Sequence, residues 1–168
     1  MPSDIYIRAL EPNETDLHRQ VRIRALRDAP DSFGSTLEQE DAQPPVYWKN
    51  QTGLVSGSGR NVMFLACQGD EILGMTYGLR DRNRRDGARV GGMWVDASAR
   101  RRGVGRQLLT AVFDWARDCA LRHIGLWAPA HGVAAIGLYC NMGFGETGTR
   151  GSMRPGSDLE ILEMERDL

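Results

Sequence analysis

Apolar and polar residues alternate through DIYIRAL, residues 4–10, which predicts a strand; the next stretch, NETDLHRQVRIRALRDA, changes period and sets Leu17, Val21, Ala25 and Leu26 on one helical face. Asn13 and Asp16, three positions apart, predict a reduced capping box at the start of that helix. The segment PDSFGSTLEQEDAQPP loses periodicity among prolines and a glycine, so an ordered loop is expected there, with Phe33 and Leu37 as its packing residues. A short helix is expected around PPVYWKNQTG, and GLVSGSGR reads as a turn or mobile loop. From Asn61 the texture becomes that of strands. NVMFLACQ, GDEILGMTYGLR and GARVGGMWVDA, joined by QGD and the charged turn DRNRRDG, predict an antiparallel meander. RGVGRQLLTAVFDWARDCALR follows, with Leu108, Leu109, Val112, Phe113, Ala116 and Cys119 on one face of a long amphipathic helix. HIGLWAP reads as a strand, GVAAIGLYCNM as a helix, and FGETGTR and DLEILEMERDL as closing strands. This order predicts an α+β fold, a central mixed and largely antiparallel sheet with helices on both faces.

A length of 168 residues and 41% hydrophobic content suit one domain spanning 1–168. Charge narrows the partners: 21 basic residues against 22 acidic ones give a net charge of −1, so any basic function must be local. The four arginines between 100 and 106 are bracketed by Asp96 and Asp114, without interleaved aromatics or a helix-turn-helix, which argues against nucleic acid. Apolar runs stop short of the ~18 residues a membrane helix needs, and MPSDIYIRAL lacks the apolar middle of a signal peptide, so no membrane association and a cytoplasmic location are expected. Cys67, Cys119 and Cys140 are odd in number and lack a CxxC spacing, which predicts reduced thiols and no metal site.

The stretch ARRRGVGRQLL, residues 99–109, carries the candidate chemistry. A helix start presents unpaired backbone N–H groups and the positive end of the dipole, and Gly103 and Gly105 allow a ligand close to that backbone. The dinucleotide fingerprint would require a glycine where Leu108 stands, and GxxxxGK[ST] is absent. From these residues alone, an anion cradle and a solvated helix cap remain equally open.

VDASARRRGVGRQLL together with GVAAIGLYCNMGF resembles the two signatures of the GCN5-related N-acetyltransferase family, and RIRALRDAPDSFGST is similar to a stretch common at the start of its small bacterial members. The resemblance covers nearly the whole chain. It implies a sheet splayed in the middle for acetyl-CoA, with the backbone of Arg101, Arg102, Gly103, Val104, Gly105 and Arg106 around the pyrophosphate and Arg100 opening the motif. It implies further that Met93, Trp94 and Val95 contact the pantetheine arm and that Tyr139 is the general acid; a purely packing role for Tyr139 is the alternative. Pro129 fits two parallel strands moving apart.

The function so implied is transfer of an acetyl group from acetyl-CoA to the primary amine of a small molecule by direct attack, without metal. The alternatives are acetylation of a peptide or protein, and a non-catalytic acyl-CoA-binding module. Three positions depart from the family pattern: Gly132 where an asparagine is common, Trp127 where some members carry a glutamate base, and Ala97 in place of a loop proline. Glu38 and Glu40 are base candidates for which a solvated loop carboxylate is the preferred reading, Asp96 reads as a cap, and His123 and His131 read as structural. Trp94 and Trp127 read as core residues or pocket walls, and the arginines of the turn DRNRRDG as a solvated hairpin rather than a second binding site. A homodimer remains open.

Overall fold

The computed structural model describes residues 4–57 and 59–168; Ser58, inside the expected turn GLVSGSGR, and residues 1–3 lie outside the described residues. The elements run β1 (Tyr6–Ala9), α1 (Thr15–Asp28), a 3-10 turn (Pro30–Ser32), α2 (Leu37–Asp41), α3 (Pro45–Val55), β2 (Val62–Gln68), β3 (Glu71–Arg80) and β4 (Gly87–Val95). A 3-10 turn (Ala97–Ala99), α4 (Val104–Asp118), β5 (His123–Pro129), α5 (Val133–Asn141), β6 (Gly145–Ser152) and β7 (Glu160–Asp167) complete the chain. The seven strands form one sheet in the order β1-β2-β3-β4-β5-β7-β6. Every pairing is antiparallel except β4 with β5, so the expected mixed, largely antiparallel α+β sheet is what forms.

Strand alternation sends side chains to two cores. On one face, Leu109, Val112 and Phe113 of α4 bury against Ala88, Ile124 and Leu126. On the other, Val21 and Leu26 of α1 and Trp48 of α3 bury against Met63, Leu65, Met75 and Trp94. Each fully buried side chain of this size contributes about 1.5–3 kcal/mol, which is what holds helices to both faces.

Two local expectations change. The segment after Pro30 is not only loop: Thr36 accepts from the Gln39 backbone while Gln39 returns the bond to the Thr36 N–H, a full capping box that starts α2. The Asn13–Asp16 box does not form, because α1 starts after Glu14, whose carboxylate takes the Glu11 N–H and two bonds of 2.8 Å from Arg8. A charge-assisted pair from β1 outcompetes the weaker local cap.

The feature that shapes the site is a separation inside the sheet. β4 and β5 pair only at Gly87↔His123, Ala88↔Ile124 and Arg89↔Gly125, although the strands continue to Val95 and Pro129. Opposite β3, the register slips from Met75↔Trp94 to Tyr77↔Gly91, so β4 carries one extra residue. Gly92 has φ of 55°, and a Cβ there would lie 2.5 Å from the Tyr77 ring, so the bulge needs glycine. The Thr76 hydroxyl, fully buried, donates to the Gly91 carbonyl at 3.1 Å and fixes the bend. The strands have parted four residues before Pro129, so that proline keeps the gap free of ladder bonds but does not begin it. Among the described residues, no helix is long and apolar enough to cross a membrane.

Candidate functional site

At the C-terminal end of β4 the chain enters a tightly anchored loop. Asp96 accepts from the backbone N–H and hydroxyl of Ser98 and from Arg24 Nη2 at 2.7 Å; the Ser98 bonds, with Arg24 behind them, hold its carboxyl down to about 2. Asp28 accepts Trp94 Nε1 at 2.9 Å and Arg100 Nη2 at 2.8 Å, and Arg100 Nε donates to the Val95 carbonyl. Arg100 therefore ties the loop to α1, and Arg102 reaches Gln68 at 3.3 Å. Arg101 and Arg106 are exposed and have no side-chain partner among the described residues.

Arg101 and Gly103 take the left-handed conformation, with φ of 61° and 80°, and turn the chain into α4 at Gly103. A Cβ on Gly103 would meet nothing within 4 Å, so the helix start is open to a ligand at this point. The first N–H groups of α4 have no carbonyl four residues back to bond, which leaves them as donors beside unpaired guanidinium groups. Gly105 has a further reason to be small: a Cβ there would lie 2.7 Å from Leu138 Cδ2, so the missing side chain also lets α5 pack on α4. Val104 is buried at the base of the helix. This donor set fits a diphosphate.

The gap between β4 and β5 leads away from that loop. Trp94 and Val95 pair with Met75 and Gly74 of β3, whereas the other edge of Met93–Val95 has no strand partner because β4–β5 pairing ends at Arg89. Backbone donors and acceptors on that edge are available to an extended amide-bearing chain. Trp94 itself is core, only 3% exposed. Tyr139, on α5, is buried with its ring edge-on to Phe144 at 5.9 Å. Burial pushes its phenol up to about 12, so it stays protonated at neutral pH, and its hydroxyl has no hydrogen-bond partner among the described residues.

The other face of the sheet, under α1 and α3, holds a histidine that the sequence pattern does not signal, near the two base candidates of α2. His18 is buried between the Thr52 hydroxyl, 2.9 Å from Nδ1, and the Tyr77 hydroxyl, 2.7 Å from Nε2. Burial, with the Arg22 charge adding to it, lowers His18 to about 4. Engaged at both ring nitrogens and disfavoured in its charged form by burial, His18 is a structural partner of Tyr77. Glu40 is neither solvated nor in a loop. It is 8% exposed in α2, bonded by Arg22 at 2.8 Å and by Ser35; burial opposes its ionisation, yet Arg22 holds its carboxyl below the usual range. Glu38 is exposed in the first turn of α2.

At the last β4–β5 rung, Arg89 joins Asp81 at 3.1 Å to Glu163 of β7 at 2.9 Å. Trp127 pairs with Glu163 across β5 and β7 and is 41% exposed, so it is a wall of an open surface and not core. Over this surface the 3-10 turn at Pro30 lies against β5, and Arg154 donates to the Pro30 carbonyl at 3.4 Å and sits 3.8 Å from Asp31. His18 with Tyr77, Arg89 with Glu163 and Arg154 with Pro30 lie 59, 74 and 124 positions apart, and no local motif announces them. Among the described residues no group of three metal-ligating side chains comes together.

This arrangement has parallels in known proteins. Mycothiol acetyltransferase of Acidothermus cellulolyticus is 26% identical over 89% of this chain, which spans only 47% of that relative's length. The ribosomal-protein-S18-alanine N-acetyltransferase of Escherichia coli superposes with a TM-score of 0.69 at 19% identity, covering 98% of this chain and 94% of the other. yncA of Salmonella typhimurium, determined with its cofactor acetyl-CoA, superposes with a TM-score of 0.74 at 16% identity, covering 99% and 95%. Residues 23–144, which contain the bulged strand, the glycine loop and the helix of Tyr139, match the acetyltransferase (GNAT) family, and the chain belongs to that family.

Proposed function

We propose that this protein is an acetyl-CoA-dependent N-acetyltransferase that modifies the primary amine of a small molecule. The observation that carries the reading is the parting of β4 from β5 after Arg89 and Gly125, a gap with an anion cradle at one end and the buried Tyr139 on the helix that follows. Bound acetyl-CoA supplies an activated acetyl thioester. The backbone N–H groups from Arg101 to Arg106, at the start of α4, hold the diphosphate, with Arg101 and Arg106 adding field, and Arg100 keeps the loop in place through Asp28. The free edge of Met93–Val95 orients the pantetheine arm and offers an N–H where negative charge develops, a contribution large in a dry site. Tyr139 holds its proton for the departing sulfur.

The acceptor side supports a small amine. The bridge from Arg154 to Pro30 and Asp31 ties the β6–β7 connection to the turn after α1, which favours a confined acceptor site over an open groove. With His18 and Glu40 both tied to neighbouring side chains, the amine enters already neutral, a fraction of about 10⁻³ at pH 7 for a lysine-like amine. kcat/KM should accordingly rise about tenfold per pH unit until the acceptor's own pKa. The test is CoA release from acetyl-CoA with a panel of small amines and an alanyl peptide. Turnover confined to small amines is expected; turnover of the peptide alone would establish the protein-directed alternative, and acetyl-CoA binding without turnover of any acceptor would establish a binding module.

A further inference from the structure

We propose that the cleft between the end of α3 and the β3–β4 hairpin binds a small ligand through a carboxylate or phosphate group. The cleft measures about 820 Å³, within the range of small-molecule sites, and Arg60, Arg80, Arg82 and Arg85 line it. Its one lining carboxylate is already spent: Asp81 Oδ1 accepts the Asn83 N–H at 2.8 Å and Oδ2 accepts Arg89 Nε at 3.1 Å. Arg80, Arg82 and Arg85 have neither an ion pair nor a side-chain hydrogen bond among the described residues. Asn61 gives its amide oxygen to the Arg80 N–H at 2.9 Å, leaving NH₂ donors to the cleft.

The chain does not lack carboxylates to neutralise these arginines. Its net charge is −1, and Arg8, Arg19, Arg22 and Arg24 each sit on an acid at 2.7–2.9 Å. Gathering three uncompensated guanidinium groups in a recess raises their mutual repulsion and focuses a positive field, which an anion relieves. The planar guanidinium fork matches carboxylate and phosphate oxygens in pairs. Gly53 and Leu54, the latter 56% exposed, add an apolar wall for the rest of the ligand.

One ion pair links the cleft to the start of the gap: the Arg89 that engages Asp81 is the last residue of β4 paired to β5 before the strands part. An acid group carried by the acceptor is one source of the anion, and a separate regulatory anion is the other; the first source rests on the transferase reading above, and the binding itself does not.

The decisive experiment is calorimetric titration of the full chain, saturated with CoA so that the glycine loop is filled, with pyrophosphate and with citrate at fixed ionic strength. Saturable binding of at least one probe is expected, weakened about tenfold or more in Arg82→Ala/Arg85→Ala at an unchanged melting temperature, and retained in Arg150→Ala on the distant β6. No saturable binding, an unchanged affinity in the double variant, or an equal loss in Arg150→Ala overturns the proposal. Paired acceptors with and without a carboxylate then separate the sources. A kcat/KM ratio that falls about tenfold against the acidic acceptor in the double variant assigns the anion to the acceptor, whereas a rate change on adding pyrophosphate that is equal for both acceptors assigns it to a regulator. Absence of turnover with every amine would defeat the transferase reading while the titration still decides the cleft.

Discussion

β4 carries an arginine cluster at each end, and the two are built differently. At its C-terminal end, Arg100 is locked to Asp28, Asp96 is locked to Arg24, and the left-handed Arg101 and Gly103 aim a helix start outward. At its N-terminal end, the hairpin offers Arg82 and Arg85 as side chains without such backbone geometry, around an Asp81 that is turned inward to Arg89. The first end offers an anion main-chain donors, the second side-chain donors. Main-chain donors are fixed and strongly orienting, whereas exposed guanidinium groups tolerate several anions and are screened by salt. One strand thus separates a site fit for an invariant ligand from one fit for a variable ligand.

The comparison breaks most severely at Gly103. Its φ of 80° is strained for any side chain, and a β-branched one would also fill the open space above the helix start. Gly103→Val should weaken acetyl-CoA binding by about a hundredfold or more, measured by calorimetry, because it removes the geometry of the donors and not one donor among several. An affinity within about threefold of the parent would mean that arginine charge, as at the hairpin, holds the cofactor at this end too.

Tyr139 stands on α5, in the core under α4. Tyr139→Phe removes a hydroxyl that has no structural partner among the described residues and keeps the ring on Phe144, so the fold should stand. Turnover should drop about tenfold or more with acetyl-CoA affinity nearly kept. An unchanged kcat would return Tyr139 to a packing role.

The difference between the ends also explains what was legible in the sequence. Strand alternation and the α4 stripe are local patterns, and they placed β2, β3, β4 and α4 correctly because packing in this chain follows its local periodicity. The glycine loop is likewise a continuous stretch. The hairpin arginines are equally visible, and Arg82, Arg84 and Arg85 are exposed as the sequence predicts; the cleft beside them is not legible, because its other walls come from α3 and the residues just before β2, up to about thirty residues earlier, and no short-range spacing encodes that meeting. The same holds for His18 with Tyr77 and for Arg89 with Glu163, 59 and 74 residues apart. The capping box of α2 lay in plain sight as Thr36 and Gln39, hidden by the prolines around it.

A third change tests the anchoring that sets the glycine loop apart. Asp96 is held at about 2 against an ordinary 3.8, chiefly by Ser98, so the folded state prefers the ionised form. Its contribution is complete above about pH 3.8 and is lost as pH falls toward 2. Asp96→Ala should lower unfolding free energy by about 1–2 kcal/mol at pH 7. In urea titrations the gap between parent and variant should shrink as pH falls from about 4 to about 2; a constant gap would mean that the carboxylate's charge does not anchor the loop.

The smallest change is at Arg101. Its side chain is exposed and has no partner among the described residues, so it resembles the hairpin arginines, yet its backbone is part of the left-handed turn into α4. Arg101→Ala leaves every main-chain donor in place and relieves a non-glycine residue of nothing, since alanine meets the same φ of 61°. Acetyl-CoA affinity should fall only several-fold, by about 1 kcal/mol, and the loss should shrink at ~0.5 M salt, where exposed charges are screened within a few ångströms. Arg82→Ala/Arg85→Ala should produce a much larger loss for an anion in the hairpin cleft, since side chains are the principal donors there. Were Arg101→Ala to cost as much for acetyl-CoA as that pair costs for pyrophosphate, the two ends of β4 would be holding their ligands by the same means.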